Sequence, residues 1–410
     1  MSTSEDIVAR AMLQGLRKSL GPVPVRLQVG STTEPNVPPE CVGSIRIADR
    51  RTLASLLIAP ETAFGDGFSS GAIRVDGDLV AVLEALYSRH SKYPAALRML
   101  SRWLAWTQGN TFAGSRRNIH HHYDLSNEFY KLWLDQQMVY TCAYFPDARV
   151  GLENAQRAKM DLVCRKLCLK PGETVVEAGC GWGSLALHMA RNYGVRVTAF
   201  NISHEQIAYA RERAWREGLA DRVEFIEDDY RNVSGPYDVF VSVGMLEHVG
   251  LRNFDRLGET IYRAIGEKGR GFLHFIGRDR PTEFSVWIRK RIFPGAYAPS
   301  IGEAMSILEP HRFSVLDIEN LRQHYALTLE HWLGRFDRAY EAVVQKFGSE
   351  FARMWRLYLA GSIVGFRLGT LQLFQVVFAG RECRQIPWTR AHLYNDDEQQ
   401  LGKSWISATS

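Results

Sequence analysis

From about residue 119 onward, short apolar runs alternate with longer stretches of helical period. Strand-like runs fall at Thr174–Ala178, Arg196–Phe200, Val223–Glu227, Tyr237–Val243 and Gly271–Ile276, with helical stretches such as Ser184–Asn192 and His204–Glu217 between them. Strands separated by helices in this way predict an α/β fold, a doubly wound parallel sheet. Near the end, Phe313–Ile318 and the run from Leu371 to Phe378 read as a closing antiparallel strand pair. Long helices at about 328–347 and 349–366 separate the two.

The first part of the chain reads differently. A helix is expected over Asp6–Leu20, stopped by Gly21-Pro22, followed by a loop rich in Pro, Thr and Gly. Between Cys41 and Leu86, β-like runs (Val42–Ile47, Ala72–Val75) mix with helical periodicity and with turns at Gly65-Asp66-Gly67 and Asp76-Gly77-Asp78. This predicts a small α+β domain over 1–88, a connection over 89–118 and a large domain over 119–410.

Composition narrows the class. The chain has 410 residues, of which 46% are hydrophobic, enough for two packed cores. It contains no apolar run of membrane-spanning length and begins MSTSEDIVAR, without a charged start and apolar signal stretch, so the expectation is a cytoplasmic protein. The six cysteines are scattered. Cys164 and Cys168 share a helical face without a second pair, which predicts reduced thiols rather than a disulfide or zinc framework. The net charge of +5 is unevenly placed: from Ala85 to Tyr123 no acidic residue occurs, while Arg89, Lys92, Arg98, Arg102, Arg116 and Arg117 alternate with Tyr93, Trp103, Trp106 and Phe112. Such a segment suits an anionic bilayer surface or nucleic acid, or else is a solvated linker. A second cluster, Arg278 to Pro294, includes Trp287, Arg289, Lys290 and Arg291.

The chemistry concentrates in Glu177-Ala178-Gly179-Cys180-Gly181-Trp182-Gly183, a buried strand running into a glycine turn and a helix. At the carboxyl end of a parallel strand such glycines let backbone approach a ligand. The spacing is not G-x-G-x-x-G, and no GK[ST] phosphate loop is present. The form resembles motif I of S-adenosylmethionine (SAM)-dependent methyltransferases, which implies Gly179, Gly181 and Gly183 as donor-binding. After the next strand, Asn201, Ile202 and Gln206 stand where that class usually carries an acidic residue, and Asn201 and Gln206 are candidates to hold the ribose instead. Asp228 and Asp229, after the third, are candidates for the adenine, or turn caps. Three adjacent histidines, His120 to His122, cannot all face one ion on a regular element, so no metal is expected.

Several ordered blocks then resemble one family, the cyclopropane-fatty-acyl-phospholipid synthases. They are His122-Tyr123-Asp124-Leu125-Ser126-Asn127, Tyr140-Thr141-Cys142-Ala143-Tyr144-Phe145, the glycine loop, Ser242 to Gly250, His274-Phe275-Ile276-Gly277, Ile292-Phe293-Pro294-Gly295 and, more loosely, Trp388-Thr389-Arg390. The N-terminal segments 64–68 and 71–78 are similar to that family's lipid-facing domain. The resemblance implies SAM as donor, with Tyr140 and Thr141 at its site and His122 and Tyr123 covering donor and acyl chain. It further implies a bicarbonate base held by Cys142, Glu247, His274, Ile276 and Tyr325.

An isolated cis alkene is a weak nucleophile, so the sulfonium methyl of SAM is a suitable partner. The resulting carbocation needs aromatic faces, exclusion of water and a positioned base for ring closure. The expected substrate is membrane phospholipid with unsaturated acyl chains, met by an enzyme peripheral to the inner membrane, with no nucleic acid involved; the resemblance implies a homodimer. Proton loss elsewhere would give a methylene-branched chain. Small-amine N-methylation and a non-catalytic binding protein are more distant readings.

Overall fold

In a computed structural model, the structure describes residues 4–34, 40–88 and 126–394. The basic connection, the histidines 120–122 and Tyr123 lie outside the described residues. Among the described residues no helix is long and apolar enough to cross a membrane. The chain divides into two compact units.

The first unit takes Met1–Gln108, Glu283–Pro294 and Leu329–Leu368. Its sheet has the order β2-β1-β3-β4, with β1 Val25–Val29, β2 Thr32–Thr33, β3 Gly43–Ile47 and β4 Ile73–Gly77; β1 and β3 are parallel. The strand β1 occupies the segment expected to be a loop. Its period is two, burying Val25, Leu27 and Val29 against Ile45, Ile47 and Leu13, and that burial outweighs the flanking Pro and Gly turn signals. Where β1 meets the first helix, Ser4–Leu20, the buried Glu34 carboxylate accepts from Arg17 Nε (2.7 Å) and Nη2 (2.6 Å) and from the Leu27 amide (2.9 Å).

The two C-terminal segments of this unit were expected in the large domain. They pack on the first one instead. The helix Ser349–Arg367 lies against Pro60–Ser70 and Leu79–Tyr87, with Arg353 Nε donating to the Ser69 carbonyl (2.7 Å) and Arg367 paired with Glu84 (3.3 Å). Trp287 rests on Gly65 so closely that a Cβ there would stand 2.3 Å from Nε1. Arg289 and Arg291 pair with Glu283 and Asp66. In the second basic cluster Trp287 is buried and Arg289 half-buried, while Arg280, Lys290 and Arg291 are exposed. The long helix expected near 328–347 begins earlier and breaks at Ala339, giving Arg322–Arg338 and Tyr340–Phe347.

The second unit takes Gly109–Thr282, Gly295–Thr328 and Gly369–Ser410. Its seven strands are β5 Thr174–Ala178, β6 Arg196–Asn201, β7 Val223–Glu227, β8 Val239–Val243, β9 Arg270–Arg278, β10 Ser314–Asn320 and β11 Leu371–Ala379. They lie in the order β10-β11-β9-β8-β5-β6-β7, parallel except for β11, which runs antiparallel between β9 and β10. All five residues of β8 are buried, as expected of a central strand covered on both faces. Two apolar layers hold the sheet, one around Val163, Leu187, Ile207 and Phe225, the other around Phe240, Leu257, Ile261 and Phe275. Strand order reverses between β5 and β8, the place where open α/β sheets bind ligands.

Gly183 closes the turn after β5 at φ +80°, and a Cβ on it would stand 2.5 Å from the Phe225 ring. Gly183→Ala combines left-handed strain with a clash against a core ring, so it should cost about 1–3 kcal/mol. Thermal unfolding of the purified variant checks this, and a melting temperature equal to wild type would count against the reading.

Candidate active site

A cavity opens at the carboxyl edge of β5, β6 and β8. Its walls include Tyr140, Thr141, Gly179, Gly181, Trp182, Asn201, Ile202, Gln206, Asp228, Asp229, Met245 and His248. Nine of the ten sequence-predicted donor-binding residues therefore face one space. The tenth, Gly183, does not line it and acts by letting the turn close. Gly179, at φ +82°, has Met245 Cβ 2.9 Å from where its own Cβ would stand, so the loop and the β8 turn approach at backbone distance.

Asn201 and Gln206 are organised by each other. Asn201 Nδ2 donates to Gln206 Oε1 (2.7 Å) and to the Gly181 carbonyl (3.2 Å), while Asn201 Oδ1 accepts from the Ser203 amide (3.2 Å). Ser203 caps the helix His204–Arg216 by accepting from the Gln206 amide, placing Gln206 in its first turn. Both amides carry dipoles without net charge, which a ribose diol can still meet. The two aspartates separate in role. Asp229 is buried in a two-point pair with Arg231 (2.7 and 2.6 Å), whereas Asp228 is half-buried and accepts from the Asp229 amide (2.7 Å) and Asn232 Nδ2 (2.9 Å) through Oδ1. Asp229 thus shapes the wall, and Asp228 is the carboxylate better disposed toward a ligand.

One side of the cavity is aromatic. The Tyr130 ring lies tilted, its centroid 4.9 Å from that of Trp182 and 5.4 Å from that of Tyr140, and Trp133 meets Tyr140 edge-on at 5.3 Å. Trp182 Nε1 donates to Asn127 Oδ1 (2.7 Å), which fixes the ring at the mouth of the glycine loop. Ring faces here are suited to a cation such as a sulfonium.

The five expected base-pocket residues do not line this cavity; they flank it. Cys142 follows Thr141 and is fully buried, donating from Sγ to the Ala143 carbonyl (3.1 Å); burial pushes its thiol well up, so it stays protonated. Thr328, on the helix that carries Tyr325, bonds the Ala143 amide (3.0 Å), bringing Cys142 and that helix together. Tyr325 is itself buried. Glu247 is the second residue of the short helix Leu246–Val249 after β8, and its Oε1 accepts from the Ile276 amide of β9 (2.5 Å). Burial raises the Glu247 carboxyl to about 7. His274, two residues before Ile276 on β9, is buried and held neutral by desolvation and by the nearby Lys159 and Lys166. Two atoms, Glu247 Oε2 and His274 Nε2, are buried without a hydrogen-bond partner.

Sequence reasoning passed over Lys159, Lys166 and Gln375, and named Glu177 only as the start of the glycine motif. Lys159 is buried, donates to Thr141 Oγ1 (2.9 Å) and is depressed to about 8, while burial raises Glu177 to about 7. The signal was present: on the helix Leu152–Lys166, Leu152, Ala155, Lys159, Val163 and Lys166 form one stripe, and a lysine inside an apolar stripe is buried, not solvated.

The sheet order, the glycine turn and the cavity at the strand-order reversal define a SAM-dependent methyltransferase of class I. The family model "Mycolic acid cyclopropane synthetase" matches residues 112–376, and the chain belongs to that family. A probable fatty acid methyltransferase of Pseudomonas putida is 32% identical over 390 residues, covering 91% of this chain and 96% of that protein. The cyclopropane-fatty-acyl-phospholipid synthase of Escherichia coli K12 is 42% identical over 260 residues, covering 63% of this chain and 66% of that one. Among solved structures, the cyclopropane synthase MmaA2 from Mycobacterium tuberculosis is similar at TM-score 0.61 and 28% identity, over 64% of this chain and 98% of that one. The mycolic acid cyclopropane synthase CmaA1, complexed with SAH and CTAB, is similar at TM-score 0.61 and 28% identity, over 64% of this chain and 97% of its own.

The two aspartates make separable predictions. Asp228→Ala should weaken S-adenosylhomocysteine binding by roughly tenfold or more, read by titration calorimetry. Asp229→Ala strands Arg231 in the wall and should mainly lower the melting temperature; the reverse pattern would exchange their roles.

Proposed function

We propose that the protein uses SAM to methylate a cis double bond in a phospholipid acyl chain and closes the product to a cyclopropane, with bicarbonate as the proton acceptor. The observation that carries this reading is the pair of buried, unpartnered atoms Glu247 Oε2 and His274 Nε2. A buried polar atom without a partner is costly, on the order of 1–3 kcal/mol each, and both of these atoms belong to residues expected to hold the base, so a guest that bonds to both would relieve that cost. Bicarbonate fits that demand, because it both donates a hydrogen bond, which a carboxylate oxygen needs, and accepts one, which an N–H needs. Glu247, His274, the Ile276 backbone, Cys142 and Tyr325 would hold it. When bound, it supplies a base that is stronger than neutral water and smaller than a side chain.

The chain's own residues do the rest. The glycine turn and the Asn201–Gln206 pair orient the donor, and the Tyr130, Tyr140 and Trp182 faces favour cationic charge on donor and substrate. Cys142 stays a neutral thiol and does not compete as a nucleophile. Full burial of Phe129, Trp133 and Cys142 keeps water away from positive charge that it would otherwise quench. The soluble fold meets its lipid from the bilayer surface, peripheral to the membrane.

A second reading has a specific support: the Pseudomonas putida relative that aligns with 91% of the chain is described as a probable fatty acid methyltransferase. In that case a different proton leaves and the acyl chain is branched.

Incubation with SAM and vesicles of unsaturated phospholipid should add about 14 mass units per acyl chain, one methylene, and proton NMR separates ring from branched alkene. Absence of any mass gain would remove the reading. Glu247→Gln and His274→Ala should each lower turnover by on the order of 100-fold while leaving S-adenosylhomocysteine binding nearly unchanged. The pH profile follows from Glu247. Its raised carboxyl is ionised only above about 7, and the ionised form is the one that accepts from a bicarbonate hydroxyl. Activity at fixed bicarbonate concentration should therefore fall as pH drops through about 7, and the residual activity of Glu247→Gln should lack that limb. His274, depressed far below its ordinary value, adds no limb near neutrality.

A further inference from the structure

Three residues stand in a row across the antiparallel end of the large sheet: Glu319 on β10 faces Gln375 on β11, which faces His274 on β9. The helix Leu152–Lys166 delivers Lys166 onto this row. Lys166 Nζ is 2.5 Å from Glu319 Oε2 and 2.7 Å from Gln375 Oε1, and Gln375 Nε2 is 3.1 Å from His274 Nδ1. Lys166, Gln375 and His274 are all buried.

Donor and acceptor counting gives the row a direction. An ammonium only donates, so the Gln375 atom beside Lys166 is its carbonyl oxygen; burial lowers the Lys166 pKa, and the ion pair with Glu319 opposes that and favours the charged form. The other end of the Gln375 amide is then NH2, which also only donates. His274 Nδ1 must accept from it and carries no proton. A neutral imidazole has one proton, which therefore sits on Nε2, the atom left without a protein partner.

We infer that Glu319, Lys166 and Gln375 are positioning residues that fix His274 in the Nε2–H tautomer, making it a hydrogen-bond donor to the reaction's base and not itself the proton acceptor. This rests on the proposed function only for the identity of what His274 faces; the tautomer follows from the row alone. The arrangement assigns the two halves of the orphan pair: His274 donates and Glu247 accepts. It also gives a role to a buried lysine that does not line the donor cavity. Replacing Gln375 by glutamate would put an acceptor where the amide donates, and the proton of His274 would move to Nδ1.

The test uses the full-length protein labelled with 15N-histidine, the His274 resonances being assigned by their loss in His274→Asn. In wild type, long-range 1H–15N correlations should show Nδ1 bare and Nε2 protonated. In Gln375→Glu, Nδ1 should become protonated, and turnover should fall by on the order of 10- to 100-fold with KM for SAM within about twofold. In Lys166→Met the Gln375 amide is released and the two tautomers should mix; if this variant does not fold, Gln375→Glu and wild type decide. A wild-type His274 protonated on Nδ1 would overturn the inference, as would an unchanged His274 spectrum in Gln375→Glu. If wild type carries the Nε2–H tautomer yet yields no methylated lipid, the function proposal fails and the positioning row stands.

Discussion

Two ammonium groups are buried on one stripe of a single helix, and much of the polar interior of the catalytic unit is arranged to meet them. Lys159 and Lys166 lie two turns apart on Leu152–Lys166, both under 5% exposed. Placing a lysine in such surroundings is expensive unless acceptors surround it. Lys166 finds Glu319 and Gln375; Lys159 finds Thr141 Oγ1 and the nearby Glu177. Each acceptor lies in or next to the expected chemistry: Thr141 beside Cys142, Glu177 at the entrance of the glycine turn, Gln375 against His274. The helix therefore acts as a rigid comb of charge behind the sheet edge.

Burial, more than the two lysines, sets the electrostatics of the site. In a dry interior charge interactions are strong, and the groups there resist ionising or resist losing charge accordingly. Glu177 and Glu247 are both pushed toward neutrality, His274 is kept neutral, and the Cys142 thiol is kept protonated. A region in which most titratable groups are pressed toward neutral forms presents hydrogen-bond donors and acceptors of defined sense without competing nucleophiles. This is suited to chemistry that passes through positive charge on a hydrocarbon chain, where a stray thiolate or water would capture the cation.

Much of the architecture was legible because buried parallel strands are written as short apolar runs. The limits of β5 and β7 coincide with those expected from sequence, and β6 extends one residue further. The donor loop was legible for a different reason: positive φ at Gly179 and Gly183 restricts those positions to glycine. What escaped had physical reasons too. The strand Val25–Val29 is short and framed by prolines, so its turn signals outweighed five residues of alternation. The membership of 329–368 in the first unit leaves no local trace, because an amphipathic helix records that one face is covered and not what covers it. Lys166 was passed over, and Asp229 read as a candidate ligand, because a sequence does not say which charges have already been paired.

Ring closure and chain branching begin from the same methyl transfer and differ in which proton is lost afterwards. The donor cavity serves both outcomes alike, since it handles only SAM. On the proposed function, the difference would therefore reside in where a base is held relative to the new methyl group, among the buried residues that flank the cavity. In this chain those residues have a sense of direction: a donor at His274 Nε2, set by the row from Glu319 through Gln375, and an acceptor at Glu247 Oε2, set by the bond of its other oxygen to the Ile276 amide. Both are anchored to β9, a strand held on one side by β8 and on the other by β11. On the function proposed above, a base held between a donor on β9 and an acceptor braced against β9 would have little freedom to reach a proton further along the acyl chain, which would favour loss of the nearest one, from the methyl group just transferred.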